Sequence, residues 1–219
     1  MDSASLYTAL QDFANAVTAK TTQITPGEPE DQLRAPFESF MTTAAESLGW
    51  NVVCTGETPL PDHLGRPDYA VHLNQLLAGY VELKAPGIGA DFRRFKGHDR
   101  NQFKRFSLIP NMLYTDGNEW GLYRGGQLVD RVVRMSGDVS VDGGKAATLQ
   151  DAQAVERVLR DFLLWEPFIP PDSQGRIDLQ RFAEILAPLC RMLRNDVTDA
   201  LKRPGSPLVR VAHDWRQLL

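Results

Sequence analysis

The chain has 219 residues, 42% of them hydrophobic, which is enough for one large domain or one domain with a helical appendage. Its 24 basic and 28 acidic residues give a formal net charge of −4, so any nucleic-acid-binding surface must be local. Cys54 and Cys190 form no C-x-x-C pair, which argues against a zinc ribbon or an iron–sulfur cluster. The N-terminus has neither a basic segment nor a long apolar stretch, so we expect a cytoplasmic protein without membrane contact.

The first part of the chain predicts helices and one short strand. Residues 1–20 have apolar side chains at helical spacing, and residues 21–29 contain two prolines and a glycine, as linkers do. A second amphipathic helix is predicted from about Asp31 to Leu48, and Gly49 ends it. Residues 51–54 form a short strand candidate.

The middle of the chain predicts strands, and the last third predicts helices. Two strands are expected at about 67–73 and 77–84, followed by a loop over 85–97 and a short helix to about residue 108. Three further strands are expected at 112–115, 120–123 and 128–133. Thr148 can cap a helix that ends at Trp165, with Asp151 completing an imperfect capping box. Another helix is expected from Asp178 to about Lys202, and a short one after Pro207.

This order of elements indicates a mixed α/β core with a helical tail. We therefore divide the chain into an N-terminal helix and linker (1–29), a mixed-sheet core flanked by helices (30–147) and a C-terminal helical segment (148–219).

The register of the two strands at 67–84 follows from hydrophobic burial. Each strand has one apolar face, formed by Tyr69, Val71 and Leu73 in the first and by Leu77, Val81 and Leu83 in the second. If the strands pair as a hairpin and both faces cover one core, Leu73 lies opposite Leu77 across a loop of three residues, 74–76. A two-residue turn would send one apolar face to the wrong side of the sheet.

The same register brings two carboxylates and one ammonium group together. Asp68 lies opposite or close to Glu82, and Lys84 shares their face. Two neighbouring carboxylates favour a hard divalent cation such as Mg²⁺, and the main-chain carbonyl of Leu83 is a further candidate ligand. Such a cluster suits phosphodiester hydrolysis, with Lys84 orienting water or stabilising the developing charge. The alternative is a solvated Glu82–Lys84 ion pair on an exposed strand.

A local basic cluster directly follows the acidic residues. Its members are Arg93, Arg94, Lys96, Arg100, Lys104 and Arg105. This cluster is a candidate for contacts with a phosphate backbone, although a solvated helix with the same charges is the alternative. Gln102 is one helical turn before Phe106, where its amide could orient a ligand or touch DNA.

Four segments together resemble a known family. They are GRPDYAV, GYVELKAPG, GHDRNQFKRF and NMLYTDGNEWGLYR. Over roughly residues 30–135 the chain is similar to the N-terminal PD-(D/E)xK nuclease domain of restriction–modification enzymes that are fused to an N6-adenine methyltransferase, the type IIG and ISP classes. The segment LAPLCRMLRNDVTDAL is similar to the helical region that follows the nuclease in such proteins.

The resemblance implies a restriction-endonuclease-like fold, DNA as the partner and Mg²⁺ as the cofactor. It implies that Asp68 and Glu82 bind the metal, that Lys84 is catalytic, and that Gln102 matches the glutamine of the helix after the E-x-K strand. The family's first helix often supplies another acidic residue, for which Glu30 and Glu38 are both candidates.

The chain also departs from the family. We find no methylase motif, no S-adenosylmethionine glycine loop and no P-loop, so a methyltransferase would have to be a separate domain or subunit. The end at Leu219 has no helix stop signal, which favours a fragment of a longer enzyme. Double-strand cleavage by a single site would also call for a transient homodimer on DNA. The alternative function is a DNA-binding or assembly module that recruits a methyltransferase without cleaving DNA.

Overall fold

The computed structural model describes residues 3–23, 27–60, 64–165, 179–203, 205–210 and 213. The chain forms two compact units, Met1–Glu166 and Pro167–Leu219. Within the described ranges, no helix is long and apolar enough to cross a membrane.

The first unit is built on a seven-stranded mixed sheet. Its strands are β1 (Val52–Gly56), β2 (Tyr69–Leu73), β3 (Leu76–Leu83), β4 (Met112–Thr115), β5 (Glu119–Arg124), β6 (Gln127–Leu128) and β7 (Val133–Arg134). The strand order is β1-β2-β3-β4-β5-β6, and β7 also pairs with β5. β3 and β4 are parallel, whereas the other neighbouring strands are antiparallel. The parallel pair is possible because a crossover through a helix separates the two strands.

Helices cover both faces of this sheet. α1 (Ser3–Thr21), α2 (Asp31–Ser47) and α4 (Leu149–Leu163) bury their apolar sides in one core with Val81, Leu113 and Trp120. On the opposite face, Phe103 of α3 (Gly97–Phe106) packs against Tyr114 and Tyr123. The predicted capping box of α4 is confirmed, because the Thr148 and Asp151 side chains each accept from the other's backbone amide.

The second unit contains α5 (Leu179–Lys202), which matches the end of the predicted helix. Its predicted start at Asp178 is outside the described residues. Residues 207–210 are also helical, in agreement with the predicted last helix.

The β2–β3 hairpin has the predicted register at Tyr69 and Val81, but its turn differs from the prediction. Tyr69 pairs with Val81, as the burial argument requires, but the predicted Leu73–Leu77 pair is wrong. Leu73 pairs with Leu76 across a tight turn at residues 74–75, both with positive φ. Ala78 is then an extra residue in β3, and this bulge restores the alternation that the short turn would have inverted.

The predicted strand over 128–133 is also wrong as a continuous element. Two short strands, β6 and β7, replace it, and both pair with β5. Asp130 between them has φ 57°, a left-handed conformation that an extended strand does not accommodate. The chain therefore leaves the sheet at residues 129–132 and returns at Val133.

These elements confirm the predicted architecture, a mixed α/β sheet flanked by helices with a further helical segment after it. The predicted boundaries at 29/30 and 147/148 stay predictions, and α1 and α4 share their core with the sheet.

Candidate metal centre

Three carboxylates converge where the start of α2 meets the β2–β3 hairpin. Asp68 immediately precedes β2, Glu82 is near the end of β3, and Glu30 is the residue before α2. Each offers a carboxylate oxygen, and these three oxygens lie within 4.8 Å of one another. The alternation of β2 and β3 directs Asp68 and Glu82 away from the core that buries Tyr69, Val81 and Leu83.

The Lys84 ammonium group is buried beside this cluster and makes three polar contacts. Nζ donates to Glu82 Oε1 at 3.0 Å and to Gln102 Oε1 at 2.7 Å, and it lies 3.1 Å from Asp99 Oδ1. The first two contacts are hydrogen bonds and the third is an ion pair, so the ammonium group is held from three sides. Gln102 and Asp99 are one helical turn apart in α3, which thereby fixes the position of Lys84.

Asp68 is anchored through both carboxylate oxygens. Oδ2 accepts from the backbone amide of Leu83 at 2.8 Å, and Oδ1 accepts from Arg34 Nη2 at 2.5 Å. The first bond ties Asp68 to β3, and the second ties it to α2. The three elements that carry the carboxylates are therefore joined by hydrogen bonds made at Asp68 itself.

Burial, and to a lesser extent mutual repulsion, makes these carboxylates hard to ionise. Burial, together with the charges of Asp68 and Glu30, raises the pKa of Glu82 to about 8, against an opposing effect of Lys84. Burial also raises the pKa values of Asp68 and Glu30, although Arg34 and Lys84 partly compensate. Among the described residues, Oε2 of Glu82 has no hydrogen-bond partner. A divalent cation would relieve this repulsion, because it supplies the positive charge that the cluster lacks.

The pKa of Lys84 is raised, which favours its charged form. Burial alone would lower it, but Glu82, Glu30 and Asp99 outweigh that effect and raise it above the ordinary value. Lys84 therefore stays protonated at neutral pH.

A second pair of acidic residues holds the loop that follows β3. Asp116 accepts hydrogen bonds from the backbone amides of Gly87 and Gly89, and Glu119 accepts one from Ala90. Glu119 also pairs with Arg94. This loop leads directly from Lys84 to α3, so the two carboxylates fix the approach of α3 to the site.

The predicted site residues are partly brought together. Asp68, Glu82, Lys84 and Gln102 meet as described, and Glu30 joins them, whereas Glu38 does not. Glu38 is exposed two helical turns further along α2, about 12 Å along its axis, and acts with burial to raise the pKa of the Cys54 thiol to about 12. The catalytic and metal-binding roles of the residues that do meet, including the predicted Leu83 carbonyl ligand, stay predictions.

The predicted basic cluster has two kinds of members. Arg93 and Arg94 are engaged by carboxylates, Arg93 by Asp91 and Arg94 by Glu119. The other four members are exposed, and among the described residues none of them has a salt bridge: Lys96, Arg100, Lys104 and Arg105. Arg93 and Arg94 are exposed too, but their charges are already paired, so the other four members are the ones available to an external anion.

Sequence reasoning missed the contacts of Arg34 and Asp99 with the site. Their spacing contains a signal, because Arg34 is four residues after Glu30 and Asp99 is three residues before Gln102. Residues at these intervals share one face of a helix.

Comparisons with known proteins agree with the fold. No family model and no curated protein matches the chain. Among solved structures, it is similar to the protein in the cryo-electron microscopy structure of the DrdV–DNA complex, with a TM-score of 0.50 and 19% sequence identity. The alignment covers 90% of this chain but 17% of that one. At this identity the likeness concerns the fold alone, a mixed α/β sheet flanked by helices, as expected from the sequence.

Proposed function

We propose that this chain is a Mg²⁺-dependent DNA endonuclease domain of the PD-(D/E)xK class, from a restriction–modification or phage-defence system. The observation that carries the proposal is the convergence of Glu30, Asp68 and Glu82 oxygens within 4.8 Å, with the Lys84 ammonium group against Glu82. Similarity in fold to the protein of a DNA complex supports DNA as the partner.

The donor set fits Mg²⁺. All three candidate side-chain ligands are carboxylates, the predicted Leu83 carbonyl would add another oxygen, and a hard cation such as Mg²⁺ prefers oxygen ligands. The buried Glu82 Oε2, which lacks a hydrogen-bond partner within the described part of the chain, supplies a free acceptor. A bound Mg²⁺ would act as a Lewis acid that offsets the charge developing on the phosphate.

The remaining side chains would position the reaction. Lys84 carries a permanent positive charge, so it would stabilise the developing negative charge and orient the attacking water, not remove a proton. Gln102 and Asp99 would hold the Lys84 ammonium group in place. Glu82 would share its buried carboxylate between Lys84 and the cation.

DNA would reach the site along α3. The exposed Lys96, Arg100, Lys104 and Arg105 would contact the phosphate backbone, with Arg93 and Arg94 beside them. Contacts of this kind provide affinity without sequence specificity.

The domain would act as part of a larger assembly. The similar chain of the DrdV–DNA complex is much longer, since the alignment covers 17% of it. Sequence recognition and methylation would then come from a separate domain or subunit, and double-strand cleavage from a transient pair of copies on DNA.

A plasmid-cleavage assay tests the proposal. The wild-type protein should nick or linearise supercoiled DNA with Mg²⁺ but not with EDTA. Lys84→Ala should abolish cleavage, whereas Lys145→Ala, which changes an exposed lysine of the turn before α4, should cleave like wild type. DNA binding by all three proteins without any cleavage would contradict the proposal and would favour the non-cleaving binding module.

A further inference from the structure

Arg34 is the cationic group on the α2 side of the carboxylate cluster. Its Nη2 donates to Asp68 Oδ1 at 2.5 Å and lies 3.7 Å from Glu57 Oε1, and its Nε donates to Asp31 Oδ1 at 3.1 Å. The Arg34 side chain is 29% exposed, whereas that of Asp68 is 8% exposed. Arg34 therefore reaches a buried carboxylate from a position that is still open to solvent.

The contact with Asp68 competes with a cation for the same carboxylate. Oδ2 of Asp68 is held by the Leu83 amide of β3, so Arg34 occupies the oxygen that the sheet does not hold. A cation that draws on this oxygen would compete with the guanidinium group, because two positive charges at one carboxylate oxygen repel each other.

The charges around the site show why Arg34 is in this position. Four carboxylates, those of Glu30, Asp68, Glu82 and Asp99, face the cations of Lys84 and Arg34. Lys84 is buried and held by two hydrogen bonds and an ion pair, so it cannot exchange partners easily. Arg34 is the more exposed cation and can be released at lower cost.

We propose that Arg34 is a phosphate-binding residue that pairs with Asp68 until a divalent cation is bound. It neutralises Asp68 while the site lacks a divalent cation, and it is released to the phosphodiester when a cation takes up that carboxylate. The proposal rests on the proposed nuclease function.

The chemistry of the guanidinium group suits this exchange. The guanidinium group is a planar fork whose paired N–H donors bind two oxygens of a phosphate or of a carboxylate. An ammonium group does not offer this paired geometry. The bond from Nε to Asp31, on the same face of α2, would keep the side chain at the site after the bond to Asp68 is lost. A purely structural role, in which Arg34 only ties α2 to β2, makes different predictions.

Variants of Arg34 separate the two roles. Arg34→Gln removes the charge, and Arg34→Lys keeps the charge but loses the fork. Arg157→Ala, at an exposed arginine of α4, is the control. Circular dichroism verifies that each variant is folded.

The first measurement is Mn²⁺ binding by calorimetry without DNA. Arg34→Gln should bind Mn²⁺ about tenfold more tightly than wild type because a competing positive charge is gone. Arg34→Lys and Arg157→Ala should bind Mn²⁺ like wild type. Unchanged or weaker Mn²⁺ binding by Arg34→Gln would overturn the exchange.

The second measurement is DNA binding with Ca²⁺, compared with DNA binding in EDTA. Wild type should gain affinity for DNA when Ca²⁺ is added. Both Arg34 variants should lose most of that gain, a loss of about tenfold in affinity, because they lack the guanidinium group that would bind the phosphate. An equal gain in all proteins would overturn the phosphate-binding role. If wild type fails to cleave DNA in Mg²⁺ but Arg34→Gln binds Mn²⁺ more tightly, the nuclease function is refuted. The competition between Arg34 and a cation for Asp68 is then still supported.

Discussion

Replacing Glu82 by glutamine tests whether the carboxylate cluster is built for a cation. Glu82 is 2% exposed, and its pKa is raised from 4.5 to about 8 by burial and by its acidic neighbours. Above pH 8 and without metal, the folded protein must carry a buried charge on this side chain. Glutamine has nearly the same shape and carries no charge.

The sign of the effect follows from the raised pKa. The folded state binds this proton more tightly than the unfolded state, so the stabilisation is complete below about pH 4.5 and is lost as the pH rises through about 8. The difference between the two pKa values corresponds to at most about 5 kcal/mol of unfolding free energy, at roughly 1.4 kcal/mol per pH unit. Between about pH 4.5 and about pH 8, the unfolding free energy of Glu82→Gln should therefore fall less than that of wild type, by several kcal/mol.

Urea denaturation in EDTA, at about pH 5 and about pH 9, measures this difference. Glu46→Gln, at an exposed position of α2, is the control and should follow wild type. Mg²⁺ should restore the stability of wild type at about pH 9, because it binds the ionised cluster in the folded state, and should restore that of Glu82→Gln much less. The same pH dependence in wild type and Glu82→Gln would refute the reasoning.

Three other variants test further parts of the structure. Asp116→Ala leaves four backbone amides without their acceptor and should destabilise the fold by about 3–4 kcal/mol in urea denaturation; a loss below about 1 kcal/mol would show that the loop after β3 is held otherwise. Glu30→Gln should weaken Mn²⁺ binding about tenfold in calorimetry, whereas Glu38→Gln should leave it unchanged; equal effects would exclude Glu30 as the third ligand. Lys104→Ala should reduce the slope of log affinity for DNA against log salt by about 1, and an unchanged slope would remove α3 from the DNA path.

The hairpin shows how far hydrophobic alternation predicts a site. The requirement that Tyr69 and Val81 face one core was sufficient to bring Asp68 and Glu82 to the other face. The turn itself was not predictable in this way, because a three-residue loop and a two-residue turn with a bulge at Ala78 give the same alternation near the site. Only the contacts between the strands distinguish them.

The partners that come from helices were less accessible to sequence reasoning. Gln102 was predicted from its place after the E-x-K strand, but Arg34 and Asp99 act on the site only because α2 and α3 pack beside it. Spacing along a helix shows which residues share a face, but not which face meets the sheet. For the same reason the sequence left Glu30 and Glu38 undecided, and packing brings Glu30 to the cluster.

The most direct test of the account is the position of a bound divalent cation. Crystals of the wild-type protein grown with Mn²⁺ should show an anomalous scattering peak coordinated by Asp68 and Glu82, with Glu30 beside it, and crystals of Glu82→Gln should lose that peak. A wild-type map with no peak between these carboxylates, at a Mn²⁺ concentration that supports DNA cleavage, would contradict the account.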